Sequence, residues 1–366
     1  MTTSIPMVDP AGEYRALKAE IDAAVGAVLA SGRYVLGPQG EALERELAAF
    51  TGVAHAVGVN SGTDALHLAL VAAGIGAGDE VIVPAFTFFA SAEAVSYTGA
   101  CPVFADIDPA TFNLDPASLA RFISRKTKAV IAVHLFGQCA ALEEISALCE
   151  ERNLVLVEDC AQSLGADYDG RRAGSWGEFG CFSFYPTKNL GAAGDAGLIT
   201  TNDRKHEETL RMLRHHGSRQ SYRHERVGWN SRLDELQAAV LRVKFTHLAR
   251  FNDARTRVAR RYREQLAEAD LALPAEHGRG RHAYHQFTIR SQRRDAIREA
   301  LAAQGISSSI FYPLPLHQQP AYAAANQGLE LPASEAAARS VLSLPIHPLL
   351  EDAQVDVVCA AIRACL

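Results

Sequence analysis

Between residues 54 and 158 the sequence alternates short, unbroken apolar runs with polar-faced segments of about ten residues. The runs Ala54 to Val59, Glu80 to Val83, Pro102 to Ala105, Ala129 to Val133 and Leu154 to Glu158 show no apolar–polar alternation. A strand with one wet face has a period of two, so these read as strands covered on both faces. The segments Asp64 to Ala73, Phe89 to Tyr97, Pro116 to Ser124 and Leu142 to Arg152 read as helices. Asp115 is a natural N-cap for the third, with Pro116 at its first position. Parallel neighbours need a crossover, and helices of this length supply it. The expected class is therefore α/β, a doubly wound and mainly parallel sheet with ligands at the carboxyl ends of its strands.

The flanks are helical. Residues 12–31 place Leu17, Ile21, Ala24, Val25, Val28 and Leu29 on one face, and Gly32 offers a stop. A second helix follows the turn Gly37-Pro38-Gln39-Gly40 and carries Leu43, Leu47 and Phe50. From Arg204 the pattern loosens. A helix spans Arg204 to His215, the polar stretch His216 to His224 reads as a mobile loop, and Leu233 to Phe251 reads as one long helix. Arg255 to Ala267 continues helical, and its cluster Arg255, Arg257, Arg260, Arg261 and Arg263 reads as a solvated face interleaved with Glu264 and Glu268. Beyond Leu271, strands at Gln286 to Ile289 and Ser308 to Phe311 mix with helices at Asp295 to Gln304, Ser334 to Val341 and Val355 to Ala364. The expected division is a large unit over residues 1–250 and a smaller α+β unit over residues 251–366.

A net charge of −6 argues against a nucleic-acid partner. No apolar run reaches membrane-spanning length, and Met1 to Tyr14 lacks the basic and apolar regions of a secretory leader. The seven cysteines are scattered without a C-x-x-C pair, which suits reduced thiols and gives no zinc signature. A cytoplasmic location is expected.

Three features lie at expected strand ends. Ser61-Gly62-Thr63 forms a strand-to-helix turn whose free amides and helix dipole favour an anion; a plain N-cap is the bland reading. Glu158-Asp159 ends a buried strand with acid, which needs a cationic or hydrogen-bonding partner. A pyridinium N–H is one such partner; capping of the following helix is the other reading. The third is Phe182-Ser183-Phe184-Tyr185-Pro186-Thr187-Lys188, an aromatic run broken by proline and followed by a lysine in a Gly-rich turn. A lysine beside apolar Leu190-Gly191-Ala192-Ala193 loses basicity and becomes an amine nucleophile or base. It follows Asp159 by enough chain for one turn and one strand, which returns it to the same end of the sheet. Phosphate cradle, acid and buried lysine together suit pyridoxal 5′-phosphate.

The sequence resembles the DegT/DnrJ/EryC1/StrS sugar aminotransferases along nearly its whole length. The likeness is carried by Gly37-Pro38, Asn60-Ser61-Gly62-Thr63-Asp64-Ala65-Leu66, Gly78 to Pro84, Thr87-Phe88 and Val133-His134-Leu135-Phe136-Gly137-Gln138. It continues through Glu158-Asp159 with Gln162, Phe182 to Gly197, Gly228 to Asp234 with Gln237-Ala238-Ala239, Tyr312-Pro313 with His317, and Leu344-Pro345. The resemblance implies a fold type I transferase with a seven-stranded type of sheet.

It also implies roles. Lys188 would hold the cofactor aldehyde and shuttle a proton, while Asp159 would keep the pyridine nitrogen protonated. Phe88 would stack on the ring, and Gln162 would contact its other face or its hydroxyl. Gly62, Thr63 and Ser183 would bind the phosphate, joined by Asn230 from a second subunit of a homodimer with shared sites. Arg232 would meet the carboxylate of the donor or of a uronic acid, and Tyr185, Tyr312 and His317 would line the sugar site. The expected reaction moves an amino group from L-glutamate to a keto group, at C3, of a dTDP- or UDP-linked sugar. Amination at C4 and a non-catalytic PLP-binding regulator are the alternatives, and a metal site at His277, His282 and His285 is the weakest reading. One departure stands out: Gly194-Asp195-Ala196-Gly197 has alanine where the family usually has glycine.

Overall fold

A computed structural model describes residues 4–220 and 222–366. Seven strands form the central sheet: β1 (His55–Val59), β2 (Glu80–Pro84), β3 (Cys101–Ala105), β4 (Thr127–Val133), β5 (Val155–Asp159), β6 (Phe179–Ser183) and β7 (Gly197–Thr201). Their spatial order is β1-β7-β6-β5-β4-β2-β3. Every pairing from β3 across to β6 is parallel, and β7 alone runs against its neighbours β6 and β1. The reversal has a local cause, because residues 184–196 join β6 to β7 with no helical crossover between them.

Burial on both faces is visible strand by strand. Val81, Val83, Ile131 and Val157 enter one apolar cluster, while the alternate residues Ile82, Val130, Ala132 and Leu156 enter another. The first cluster is closed by helix Gly62–Ala72 through Ala65, Leu66, Leu68, Ala69 and Leu70. A further cluster joins Leu43 and Leu47 of helix Pro38–Thr51 to Phe182, Phe184 and Leu198.

A separate core lies in the C-terminal part. Val258, Tyr262, Phe287, Ile289, Ile297, Leu301, Leu342, Leu344, Val355 and Val358 pack together, with Ile5 from the far end of the chain. Strand Phe287–Arg290 pairs antiparallel with Val341–Leu344. Contact with the first core is retained through Leu316, Leu331, Ala337 and Val341.

Local signals explain most element ends. Asp9 caps the first helix, Pro10–Ser31, through the amide of Gly12, so it starts two residues before the apolar pattern does. Asp115 accepts from the amides of Ala117 and Ser118, as its spacing predicts. Four expectations need correction. The long helix is broken at Thr246 and His247 into Glu235–Phe245 and Leu248–Gln265, and the second piece runs unbroken through residues 252–254. Residues 308–311 form no strand; Ser309 makes a single bridge to Ser343, and the strand lies at Val341–Leu344. The polar stretch after His215 contains a short hairpin of Ser218–Gln220 against Arg223–His224 rather than a loop.

The fourth is Arg255 alone of the arginine cluster, since Arg257 and Arg260 are exposed as expected. Arg255 is buried and donates to the carbonyls of Tyr284, His285 and Ile346. Arg261 pairs with Asp356 at 2.5 Å and Arg263 with Glu276 at 2.9 Å, while Arg257 meets Asp352. Those acids come from later segments of the chain and lie on the same partly solvated face.

Candidate active site

Glu158 and Asp159 are neighbours on β5, so their side chains leave opposite faces of the sheet. Glu158 accepts four hydrogen bonds: from Gly174 at 2.8 Å, Trp176 at 2.7 Å, Gly177 at 2.9 Å and His134 Nε2 at 2.9 Å. His134 Nδ1 accepts from the Ala140 amide, which leaves the ring proton on Nε2, facing Glu158. This acid is fully satisfied and structural.

Asp159 is different. Its Oδ2 accepts from Ser91 Oγ at 2.8 Å and its Oδ1 from the Ala161 amide at 3.1 Å. No lysine or arginine among the described residues forms an ion pair with it. Burial pushes its carboxyl above the ordinary value, countered by Ser91, Ala161, Lys188 and His134. A buried carboxylate without a paired protein cation has room for one from outside the chain.

Lys188 sits on the β6–β7 turn. The turn is closed by Phe184 N–H to the Ala196 carbonyl, Ala192 N–H to Phe184, and Lys188 N–H to Tyr185. Asn189 ties it down from behind, donating to Asn252 Oδ1 at 2.9 Å and to the Ala283 carbonyl at 2.8 Å. Lys188 keeps part of its surface open to the cleft, yet burial lowers its pKa to about 8 against the pull of Asp159. Roughly a tenth of it is then neutral amine at pH 7, far more than at the ordinary lysine value.

At the end of β1, Ser61 caps helix Gly62–Ala72 by accepting from the Asp64 amide at 3.0 Å. Asp64 and Ala65 thus have partners from Ser61, whereas the amides of Gly62 and Thr63 lie ahead of the helical ladder. A Cβ on Gly62 would stand 2.6 Å from Ser183 Cβ, so only glycine lets Ser183 approach this terminus. Two free amides, a positive helix end and a serine hydroxyl make an anion cradle.

A sequence model of the DegT/DnrJ/EryC1/StrS aminotransferase family matches residues 15–363. The chain belongs to that family. A relative from Acidithiobacillus ferrooxidans, named UDP-N-acetyl-3-dehydro-alpha-D-glucosamine 3-aminotransferase, is 50% identical over all of this chain and 98% of its own length. One from Geobacillus stearothermophilus, named a pleiotropic regulatory protein, is 47% identical over 96% of this chain and 95% of its own. The crystal structure of DesV from S. venezuelae, solved with a ketimine intermediate, superposes with a TM-score of 0.97 at 47% identity, covering 99% and 98% of the two chains.

DegT/DnrJ/EryC1/StrS aminotransferases use pyridoxal 5′-phosphate, and this chain fits that group on its own geometry. The cradle at Gly62, Thr63 and Ser183 suits the phosphate, Asp159 lacks a paired cation, and Lys188 offers a weakened amine. Gln162 is buried nearby; its Oε1 accepts from the Phe136 amide at 2.6 Å and its Nε2 donates to Tyr312 Oη at 3.2 Å. Phe88 is 57% exposed and its ring lies 6.1 Å from that of Tyr312, so it is a surface aromatic rather than core.

The remaining expected site residues spread outward. Tyr185 and Asn230 are exposed, and Arg232 is held by His215, whose Nδ1 accepts from Nη1 at 3.1 Å. His317 is buried, with Nε2 3.4 Å from Glu335, and points to no partner in the cleft. Ala196 is accommodated within the apolar cluster beneath the turn. Gly197 cannot change in that way, since a Cβ there would lie 2.3 Å from the Ser61 carbonyl oxygen.

His277, His282 and His285 do not converge. Nδ1 of the first two accepts from Arg279 and Tyr284 amides, and that of His285 meets Asn189. Among the described residues, one group has metal-ligand proximity, His134, Glu158 and Cys160, and the hydrogen bonds to Glu158 already fill it. Sequence reasoning overlooked Ser91, because a serine in the first turn of a helix is read as a local cap.

Proposed function

We propose that this protein transfers an amino group from L-glutamate to the C3 keto group of a nucleotide-linked sugar, dTDP or UDP. The carrying observation is the 50% identity, over the full length, to the relative whose name specifies 3-amination of a UDP-linked 3-dehydro sugar. The bound cofactor supplies an electron sink, which takes up charge when a proton leaves the amine-bearing carbon. Asp159 holds a proton on the ring nitrogen by remaining ionised beside it. Lys188 carries the cofactor between turnovers and, when freed, holds and moves a proton at Nζ. Gly62, Thr63 and Ser183 bind the phosphate, Phe88 and Gln162 position the ring, and Arg232 binds a carboxylate. Tyr185, Tyr312 and His317 belong to the sugar side, with His317 acting through its neighbours.

The working unit we propose is a homodimer in the cytoplasm. Asn230 is exposed, and earlier on the same segment Tyr222 (98% exposed) and Val227 (86% exposed) present apolar surface that a second copy would bury. Free cysteines suit that location, and among the described residues no helix is long and apolar enough to cross a membrane.

A panel of nucleotide-linked 3-keto and 4-keto sugars with glutamate, read by product mass and by NMR position of the amine, tests the reading. An amine at C4 overturns the regiochemistry. The name of the Geobacillus relative favours a second reading, regulation without turnover. Glutamate bleaches the visible cofactor band of an enzyme and leaves that of a mere binder unchanged.

A further inference from the structure

Ser91 lies in the first turn of helix Ala90–Tyr97 and is fully buried, as is Thr87 just before that helix. Ser91 Oγ stands 2.8 Å from Asp159 Oδ2 and 3.2 Å from Thr87 Oγ1. An ionised carboxylate only accepts, so the single Ser91 proton goes to Asp159 and Thr87 must donate to Ser91. The two hydroxyls thus form a one-way file ending on the acid, and each bond polarises the next. Phe88, the exposed aromatic, sits between them in sequence.

We propose that Ser91, backed by Thr87, is a positioning residue that keeps Asp159 ionised and fixed in orientation for the ring nitrogen of the cofactor. The inference rests on the cofactor reading above and adds what sustains the charge on Asp159. Burial opposes that charge, and the Ser91 bond is the largest influence restoring it, ahead of the Ala161 amide, Lys188 and His134. The other titratable groups around the acid do not help. The thiols of Cys160 and Cys181 and the phenol of Tyr312 are all pushed up by burial and stay neutral. Each carboxylate oxygen receives one protein hydrogen bond and retains a further acceptor position. Because Oδ2 is tied by Ser91 and Oδ1 by Ala161, the plane of the group is set before any ligand arrives.

The test measures cofactor affinity of the full-length protein by equilibrium dialysis against pyridoxal 5′-phosphate, from pH 5.5 to 8.5. In Ser91→Ala the acid carboxyl loses its main support, so the acid limb of affinity moves to higher pH. The expected loss is about tenfold at pH 6, shrinking toward wild type at pH 8.5, the scale of one hydrogen bond to a charged group. An equal loss at every pH marks mere packing and overturns the proposal, as does an unchanged profile. Thr87→Val, which leaves Ser91 in place, is expected to shift the limb the same way by a smaller step. It carries the test if Ser91→Ala does not fold, and a wild-type profile in it then overturns the proposal. Failure of the wild-type protein to bind the cofactor sinks the cofactor reading itself and is seen before any variant is made.

Discussion

Asp159 and Lys188 are enclosed by contacts from their own chain, whereas Asn230, Tyr185 and Phe88 stand largely in solvent. The inner group is fixed by Ser91, Ala161, Asn189 and a turn closed by three backbone bonds. The outer group has few internal ties, the Arg232–His215 contact among them. The difference separates two tasks. Holding a cofactor's reactive atoms needs rigid, desolvated groups on strand ends. On the proposed function, covering the cofactor's ring and phosphate from outside and choosing a substrate fall to side chains that acquire their full surroundings only on binding or assembly.

The sharpest way to test that division is to remove the amine. Lys188→Met is expected to lower turnover by about a thousandfold or more, since nucleophile and proton carrier vanish together. The same change should stabilise the cofactor-free protein at pH 7 by about 1–3 kcal/mol, seen as a higher melting temperature. The sign follows from a folded pKa of about 8 against an ordinary 10.5. Between those values the unfolded chain binds more protons, so wild-type stability rises with pH across that window and the lysine is a liability below it. A variant no more stable than wild type would show that the lysine is not desolvated. Capture of the cofactor by the wild-type protein, followed by stopped-flow absorbance, should accelerate as pH rises toward 8 and then level.

Asp159→Asn keeps the shape and removes the charge. Turnover is expected to fall by about a hundredfold, with weaker cofactor retention, because the ring nitrogen loses its counter-ion. Turnover within a few-fold of wild type breaks the inner half of the comparison.

Arg232→Ala addresses the outer half. The KM of one substrate should rise about ten- to hundredfold, the cost of one charged hydrogen-bonding partner, with the cofactor spectrum unchanged. A changed spectrum would place Arg232 with the inner group. Smallest is Asn230→Ala, for which about fivefold weaker cofactor retention is expected. That deficit should deepen on dilution if the asparagine reaches the phosphate across two subunits, and dilution without effect argues for a site within one chain.

Much of this was legible in the chain. Unalternated strands identify the doubly buried sheet, and proline, asparagine and glycine positions mark most turns. The acid at the end of β5 and the lysine after β6 are readable because each is costly where it stands. Which of Glu158 and Asp159 faces the cleft was not readable from period alone, since a one-residue slip exchanges the faces. Ser91 gave no signal, because its partner lies 68 positions away and a local cap explains a serine equally well. Arg255 of helix Leu248–Gln265 is hidden for the same reason, because the carbonyls of Tyr284, His285 and Ile346 that it meets lie far along the chain. The solvated face with Arg257 and Arg260 was legible, while the partners Asp352, Asp356 and Glu276 of Arg257, Arg261 and Arg263 arrive only with the tertiary fold.

The reversed strand β7 has a consequence for how such a protein can change. A crossover between parallel strands carries a helix, and altering its length disturbs packing on a whole face of the sheet. The segment bearing Lys188 is instead the tip of an antiparallel hairpin whose two legs are already held by the sheet. Lengthening such a tip costs little chain entropy, growing only with the logarithm of its size. Length can therefore vary most cheaply beside the exposed Ala193 and Asp195, whereas Phe184, Leu190, Ala192 and Ala196 are buried in the cluster beneath and Asn189 is anchored at Asn252 and Ala283. Variation at that exposed end of the turn leaves the sheet and the anchored half bearing Lys188 unchanged.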